Sequence, residues 1–136
     1  MADKIVISAL VAVHLGVNIW HSGGHTELAI GLPPIKLAFV IVVILLAPIA
    51  AGVLVWTRYV TLALWLFVLS MVGALVFGVY HHYVLVSPDN IAHLPDGPAQ
   101  AQAGFIASAG VLALLELACA LYGAFSIGAR RALNAA

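Results

Sequence analysis

Four long apolar runs constrain the fold of this 136-residue chain more than any other feature. They cover about residues 5–21, 35–56, 59–86 and 102–128. A hydrocarbon core about 30 Å thick needs roughly 20 apolar residues per helix, so each run is long enough for one crossing. Only 7% of the residues are charged, which excludes an ordinary soluble domain. The sequence therefore predicts an all-α fold: a single-domain integral membrane four-helix bundle with antiparallel up-down-up-down topology.

The basic residues predict the orientation of this bundle. The side with both termini and the short turn at 57–58 carries four of them: Lys4, Arg58, Arg130 and Arg131. The opposite side carries only Lys36. The positive-inside rule then places both termini in the cytoplasm, with the loops at 21–34 and 87–100 on the outer side. A bacterial inner membrane, with these loops in the periplasm, is the favoured location.

Charge and cysteine content exclude several functions. Five Lys and Arg residues balance five Asp and Glu residues, so no basic surface is available to bind nucleic acid. The single cysteine, Cys119, cannot form an intramolecular disulfide or a Cys-x-x-Cys motif. The chain also lacks a Gly-rich phosphate loop, a Gly-x-Ser-x-Gly motif and a His-Glu-x-x-His motif. Soluble-type hydrolase and nucleotide chemistry are therefore not expected.

Six histidines are the most informative residues in the chain. Five of them fall on the predicted outer side: His21, His25, His81, His82 and His93. His14 lies deeper in the first span. Because a helix turns by about 100° per residue, His14, His21 and His25 share one face, and Asn18 extends it. The first span therefore presents a polar stripe that leads towards the outer side.

The third and fourth spans add a histidine and a carboxylate to the expected interior. His81 lies within about 40° of the small residues Ser70 and Ala74, so we expect it to face the bundle, whereas His82, about 100° away, points elsewhere. In the fourth span, Glu116 belongs to a series of residues at seven-residue intervals: Gln102, Ala109, Glu116 and Gly123. A carboxylate near mid-bilayer needs an interior partner. Glu116 is therefore predicted to be a buried proton-linked group beside His14, with a candidate catalytic role.

This pattern favours a transition-metal centre near the outer face. Imidazole suits copper, iron and zinc, and the sequence does not distinguish among them. The expected ligands are His21, His25 and His81, with His82, His93 or Asp89 completing the shell. Asp89 and His93 are four residues apart, so a short helical turn would place them on one face. The predicted activity is redox or metal-handling, in a membrane oxidoreductase or a subunit of one.

Three alternatives remain open at this stage. In the first, haem b is held by His14 and His81 in a quinone-linked electron-transfer subunit. In the second, the chain is a cofactor-free accessory subunit, and small-residue pairs contact other membrane subunits or further copies of itself. In the third it carries protons or metal ions, although four spans in one copy leave little room for alternating access.

Overall fold

The computed structural model describes the backbone of residues 2–135 and the side chains of residues 3–133. Within these residues the fold is helical and without strands, which confirms the all-α class. Four helices are long and apolar enough to cross a membrane: α1 (Ala2–Glu27), α2 (Pro34–Leu54), α3 (Val60–Val84) and α4 (Ala99–Ala135). Helix α1 continues through Gly23 and Gly24, so His25 lies on the helix rather than on a loop.

Two of the helices contain wider, π-helical turns. In α2 the π-helical segment Val40–Leu46 comes just before Pro48. Pro48 has no N–H to donate, and its ring crowds the preceding turn. A wider turn before the proline relieves this steric clash. In α3 the π-helical segment Tyr80–Val84 ends the helix, and the Leu85 N–H donates to the Tyr80 carbonyl at 2.7 Å. This second segment contains both His81 and His82, so it changes the direction in which they point.

The helices pack around a core at one end of the bundle. Helix α4 packs against α1 and α3, while α2 packs against α3 and meets α1 through residues 47–54. The main core is drawn from all four helices: Ile7, Val11, Ala51, Val55, Ala63, Leu64, Phe67, Met71, Cys119, Ala120 and Ile127. Near this core the Tyr122 hydroxyl donates to Asp3 at 3.1 Å. Cys119 is thus a buried packing residue.

The opposite end, here called the histidine end, joins the last turns of α1 and α3 to the first turns of α4. A smaller apolar cluster holds it together, formed by Leu28, Ile30, Ala101 and Phe105. Gly24 allows α1 to approach α4 closely, since a Cβ at this position would lie 3.1 Å from Phe105. The loop at 85–98 folds onto this end, where the Ile91 N–H donates to the His82 carbonyl at 3.0 Å.

Gly123 supplies the corresponding close contact between α3 and α4, and this gives a test of the packing. A Cβ at Gly123 would lie 2.5 Å from Val68, whose branched side chain has little freedom to move. We expect Gly123→Ala to cost about 1–3 kcal/mol through overpacking and to lower the melting temperature in detergent. Gly128→Ala is the matched control, because a Cβ there meets nothing within 4 Å. Equal melting temperatures for the two variants would contradict this packing.

Candidate functional site

His25 is positioned by the way helix α1 ends. The Ile30 N–H donates to the His25 carbonyl at 2.9 Å, and the Ala29 N–H donates to the Thr26 carbonyl at 3.3 Å. Ala29 has a φ of 51°, so the chain reverses in a Schellman motif with alanine at the left-handed position that glycine usually takes. This reversal brings the Ile30 carbonyl to the His25 ring, whose Nδ1 lies 3.2 Å from it.

His21 is positioned by a serine of helix α4. Its Nδ1 lies 2.9 Å from the Ser108 hydroxyl, and the same hydroxyl donates to the Phe105 carbonyl at 3.0 Å. Because the single hydroxyl proton is committed to that carbonyl, Ser108 accepts a hydrogen bond from the His21 Nδ1–H. The ring is only 7% exposed, and among the described residues its Nε2 has no hydrogen-bonding partner.

His82 is positioned by the loop that follows helix α3. Its Nδ1 donates to the Asp89 backbone carbonyl at 2.9 Å. Asn90 fixes this loop, since its side chain donates to the Leu85 carbonyl at 3.0 Å and accepts from the Ala92 N–H at 2.9 Å. The Asp89 side chain is thereby held at the cluster, with Oδ1 3.3 Å from Nδ1 of His82 and 3.5 Å from Nε2 of His25.

The three imidazole rings form a compact group around one phenylalanine. The His21 ring centroid lies 5.0 Å from that of His25 and 4.8 Å from that of His82, while His25 and His82 are 6.3 Å apart. Phe105 is fully buried and touches all three rings at centroid distances of 4.5–5.4 Å. We call His21, His25, His82 and Asp89 the histidine–aspartate cluster.

All three histidines of the cluster are anchored through the same ring nitrogen. Each uses Nδ1 to donate to a protein oxygen: the Ser108 hydroxyl, the Ile30 carbonyl or the Asp89 carbonyl. In a neutral imidazole the other nitrogen, Nε2, then carries the lone pair. The cluster therefore offers three lone-pair nitrogens and one carboxylate, which is a donor set suited to a divalent metal ion.

The electrostatic surroundings keep Asp89 ionised. Burial raises the pKa of the Asp89 carboxyl, but the attraction of the neighbouring His82, His25 and His21 outweighs it, so the net shift is downward. Asp89 is 5% exposed, and because the His82 Nδ1–H donates to the backbone carbonyl, Oδ1 has no hydrogen-bonding partner within the described residues. A negative oxygen is thus available beside the three imidazoles.

A cavity of about 370 Å³ extends from the cluster into the bundle. It lies where residues 37–45 of α2 face residues 18–26 of α1, with α3 and α4 behind. Small residues of α3 and α4 make room for it: Ala74, Gly78, Ala109 and Ala113. His21, His25, His82 and Asp89 line one end, and Asn18 and Glu116 line its walls deeper along the helices.

Glu116 and His14 form a buried pair within the bundle, as their predicted depths suggest. The Glu116 Oε1 lies 3.3 Å from Nε2 of His14, and their side chains are 4% and 2% exposed. Asn18 supports the pair, because its amide lies 3.2 Å from the same nitrogen and donates to the His14 carbonyl at 2.9 Å. The predicted stripe of His14, Asn18 and His21 is buried and reaches residues of α4, as expected.

The structure differs from the sequence-based expectation at His81 and His93. His81 was expected to face His21 and His25, but its Nδ1 donates to the Phe77 carbonyl at 2.8 Å and its ring packs on Phe77 at 4.1 Å. It lines a separate shallow pocket with Phe39 and Tyr80. His82 takes the expected place, since it is the ring that contacts His21 and Asp89. His93 is exposed on the loop.

The haem ligand pair expected from sequence is also divided between two environments. His14 is engaged by Glu116 and Asn18 in the bundle, whereas His81 lines the shallow pocket beside Phe39. The structure therefore brings together His21, His25, His82 and Asp89, and leaves His14, His81 and His93 outside that cluster. No motif or spacing in the sequence pointed to Ser108 and Phe105, because their roles depend on contacts between α1 and α4.

No three His, Cys, Asp or Glu side chains within the described residues are arranged to hold one metal ion as they stand. The His21 ring meets those of His25 and His82 nearly edge to face, at interplanar angles of 86° and 77°. Ligation by the cluster thus requires its rings to rotate. No family model, curated protein or solved structure matches this chain.

The depressed pKa of Asp89 predicts a pH-dependent contribution to stability in metal-free protein. A carboxylate whose pKa is lowered on folding stabilises the fold above its unfolded value, 3.8, and this stabilisation is lost as pH falls through the folded pKa. Asp89→Asn should therefore lower the melting temperature at pH 6–7 in the presence of a chelator. The difference from the unchanged protein should close below pH 3.8.

The matched control is Asp96→Asn, because Asp96 is an exposed carboxylate on the same loop. We expect that variant to melt like the unchanged protein at pH 6–7. A pH-independent difference for Asp89→Asn, or an equal effect of both substitutions, would show that the charge of Asp89 does not support the fold.

Proposed function

We propose that this protein binds one divalent transition-metal ion through His21, His25, His82 and Asp89. The observation that carries the proposal is the common anchoring of the three rings. Metal-ligating histidines nearly always donate their second ring N–H to an oxygen of the protein, which fixes the tautomer and leaves the other nitrogen free for the metal. Each ring of the cluster has this arrangement, the three rings belong to two helices, and Oδ1 of Asp89 lies 3.5 Å from Nε2 of His25.

The dimensions of the cluster support the same proposal. Tetrahedral ligands about 2.1 Å from one ion lie roughly 3.4 Å apart, and Nε2 of His25 and Oδ1 of Asp89 are separated by 3.5 Å. Three imidazoles around one ion place neighbouring ring centroids about 5 Å apart, compared with 4.8, 5.0 and 6.3 Å here. Ligation requires the rings to rotate, because His21 now meets His25 and His82 nearly edge to face.

The donor set narrows the choice of ion. Nitrogen and carboxylate ligands suit zinc, iron and copper(II), whereas copper(I) prefers thiolate or thioether sulfur. Cys119 lies in the main core with α2 and α3 side chains and is remote from the cluster. The proposed ion is therefore copper(II), iron or zinc. The position of the proposed ion at the end of the cavity supports redox or metal-handling activity in a membrane oxidoreductase or one of its subunits.

We further propose that the bundle is antiparallel, with both termini in the cytoplasm and the histidine end on the outer face of a bacterial inner membrane. The contacts of Asp3 with Tyr122 and Arg130 join the first turns of α1 to the last turns of α4. The four basic residues named above lie at this end, which supports the assignment by the positive-inside rule. The metal ion would then be exchanged with the periplasm.

Elemental analysis of tag-free protein in mild detergent tests the metal proposal directly. We expect close to one equivalent of copper, iron or zinc after reconstitution near neutral pH. Alanine substitution of His21, His25, His82 or Asp89 should remove the ion or weaken its binding at least tenfold, because each change deletes a proposed ligand. Affinities are compared by competition with a chromophoric chelator for zinc, which has no redox chemistry.

The chain offers two matched controls for this experiment. His81 adjoins His82 in the same π-helical turn, and His93 lies on the same loop as Asp89. Their alanine variants should bind metal like the unchanged protein. Loss of metal in the His81 variant but not in the His82 variant would refute the ligand set. Absence of stoichiometric metal in all samples would refute the function and favour a cofactor-free accessory subunit.

Ser108 provides a second test, because it touches a proposed ligand without being one. Removing its hydroxyl takes away the oxygen that orients His21, so we expect Ser108→Ala to weaken metal binding about 10–100-fold while the stoichiometry at saturation stays the same. Ser70→Ala is the control. Ser70 makes the same intrahelical bond, from its hydroxyl to the Phe67 carbonyl, but touches no histidine of the cluster. Equal affinities in the two variants would contradict the positioning role.

A further inference from the structure

The cavity beneath the histidine–aspartate cluster is a second candidate site, which adjoins the proposed metal ligands at its outer end. Its volume of about 370 Å³ is in the range of small-molecule pockets. One wall is formed by apolar side chains of α2, including Leu37, Val40 and Ile41. Leu37 and Ile41 are also exposed, 46% and 42%, on a helix apolar enough to face lipid. A ligand of this cavity is therefore expected to be neutral and soluble in the bilayer.

Glu116 places a carboxyl group in the inner part of this cavity. Its Oε1 faces His14, while its Oε2 lies on the other side, 3.9 Å from the position of a Cβ on Gly78. Because the contact with His14 engages Oε1, Oε2 is the oxygen left to face the cavity. As a carboxylate oxygen, or as the carbonyl oxygen of a carboxyl whose proton lies on Oε1, it accepts a hydrogen bond. The polar group of a ligand at this point must donate a hydrogen bond.

The outer part of the cavity also presents an acceptor. The Nε2 of His21 is buried, carries the lone pair and has no partner within the described residues. His21 and Glu116 both line the cavity, His21 at its outer end and Glu116 deeper along the helices. A ring with a hydrogen-bond donor at each end therefore offers one donor to each of the two acceptors.

We propose that the cavity binds a lipid-soluble dihydroxybenzene, that is, a ligand of the quinol class. One hydroxyl donates to Oε2 of Glu116, and the other faces the cluster. In metal-free protein this second hydroxyl donates to Nε2 of His21. In metal-loaded protein the oxygen of this hydroxyl would lie near the ion. The oxidised quinone carries only acceptor oxygens, so it lacks a partner at Glu116. The inference does not depend on the metal, because the cavity and Glu116 are present without it.

The experiment measures binding of trimethylhydroquinone by anaerobic calorimetry in mild detergent, with trimethylbenzoquinone as the matched oxidised ligand. Metal-free and zinc-loaded samples are both titrated, since zinc does not oxidise the quinol. We expect saturable one-to-one binding of the quinol and at least tenfold weaker binding of the quinone. A decyl-substituted quinol is titrated to identify the source of the ligand. Tighter binding than that of trimethylhydroquinone indicates a ligand from the bilayer, and equal affinity indicates a water-borne phenol of the same class.

Cavity-filling variants locate the binding. A Cβ at Gly78 fits at ordinary contact distance, so the rest of the side chain in Gly78→Leu occupies the space between Glu116 and His82. We expect at least a tenfold loss of quinol affinity. Gly16→Leu is the control, because a Cβ at this helical glycine meets nothing within 4 Å. Ala113→Leu fills the same cavity from α4 and replaces Gly78→Leu if that variant melts early.

Glu116→Gln tests the direction of the hydrogen bond. An amide can turn its N–H₂ towards a ligand, so the preference for quinol over quinone should shrink at least fivefold, while zinc binding stays unchanged. A structural role of Glu116 alone would weaken the binding of both ligands equally.

Three results would overturn the proposal. They are absence of quinol binding, equal binding of quinol and quinone by the unchanged protein, and equal effects of Gly78→Leu and Gly16→Leu. Zinc stoichiometry is determined on each sample, so a failed metal proposal is recognised independently.

Discussion

The rest of the structure depends on the need to satisfy every polar group inside an apolar bundle without help from water. The backbone meets this need through helices, and buried histidines meet it through specific partners: His14 with Glu116, His21 with Ser108, and His82 with the backbone carbonyl of Asp89. Among the buried polar atoms that have no partner within the described residues, two belong to the histidine–aspartate cluster: Nε2 of His21 and Oδ1 of Asp89. Because a buried polar atom without a partner costs free energy, these exceptions point to a ligand rather than to packing.

The site is built by local features that shorten or redirect the helices. The Schellman motif after α1 turns the Ile30 carbonyl onto His25, and the π-helical end of α3 directs His82 towards Asp89. Gly24 brings α1 close to Phe105, whereas small residues of α3 and α4 leave the cavity open beside the outer half of α2. The proposed metal ligands line one end of the cavity, which links the two proposals without making either depend on the other.

Helical periodicity predicted part of the site correctly. A turn of about 100° per residue places His14 and His21 on one face, and it places Glu116 on the packing face of α4, where the structure joins Glu116 to His14. The same rule was wrong for His81 and His82, because it assumes an α-helix and the residues form a π-helical turn. The place of Asp89 depends on the hydrogen bonds of Asn90 with its own loop, and residue spacing does not reveal these bonds.

By itself, the sequence determined the class of structure and the position of its polar residues along each helix. Continuous apolar runs of about 20 residues with few charges favour helices of membrane-spanning length, since a helix satisfies the backbone hydrogen bonds within each run. Only the tertiary structure decided which histidines meet. That choice depends on the rotation of the last turn of α3, on the reversal after Glu27 and on the fold of the 85–98 loop. Each of these is set by hydrogen bonds that depart from the regular α-helical pattern, and periodicity within one helix carries no information about them.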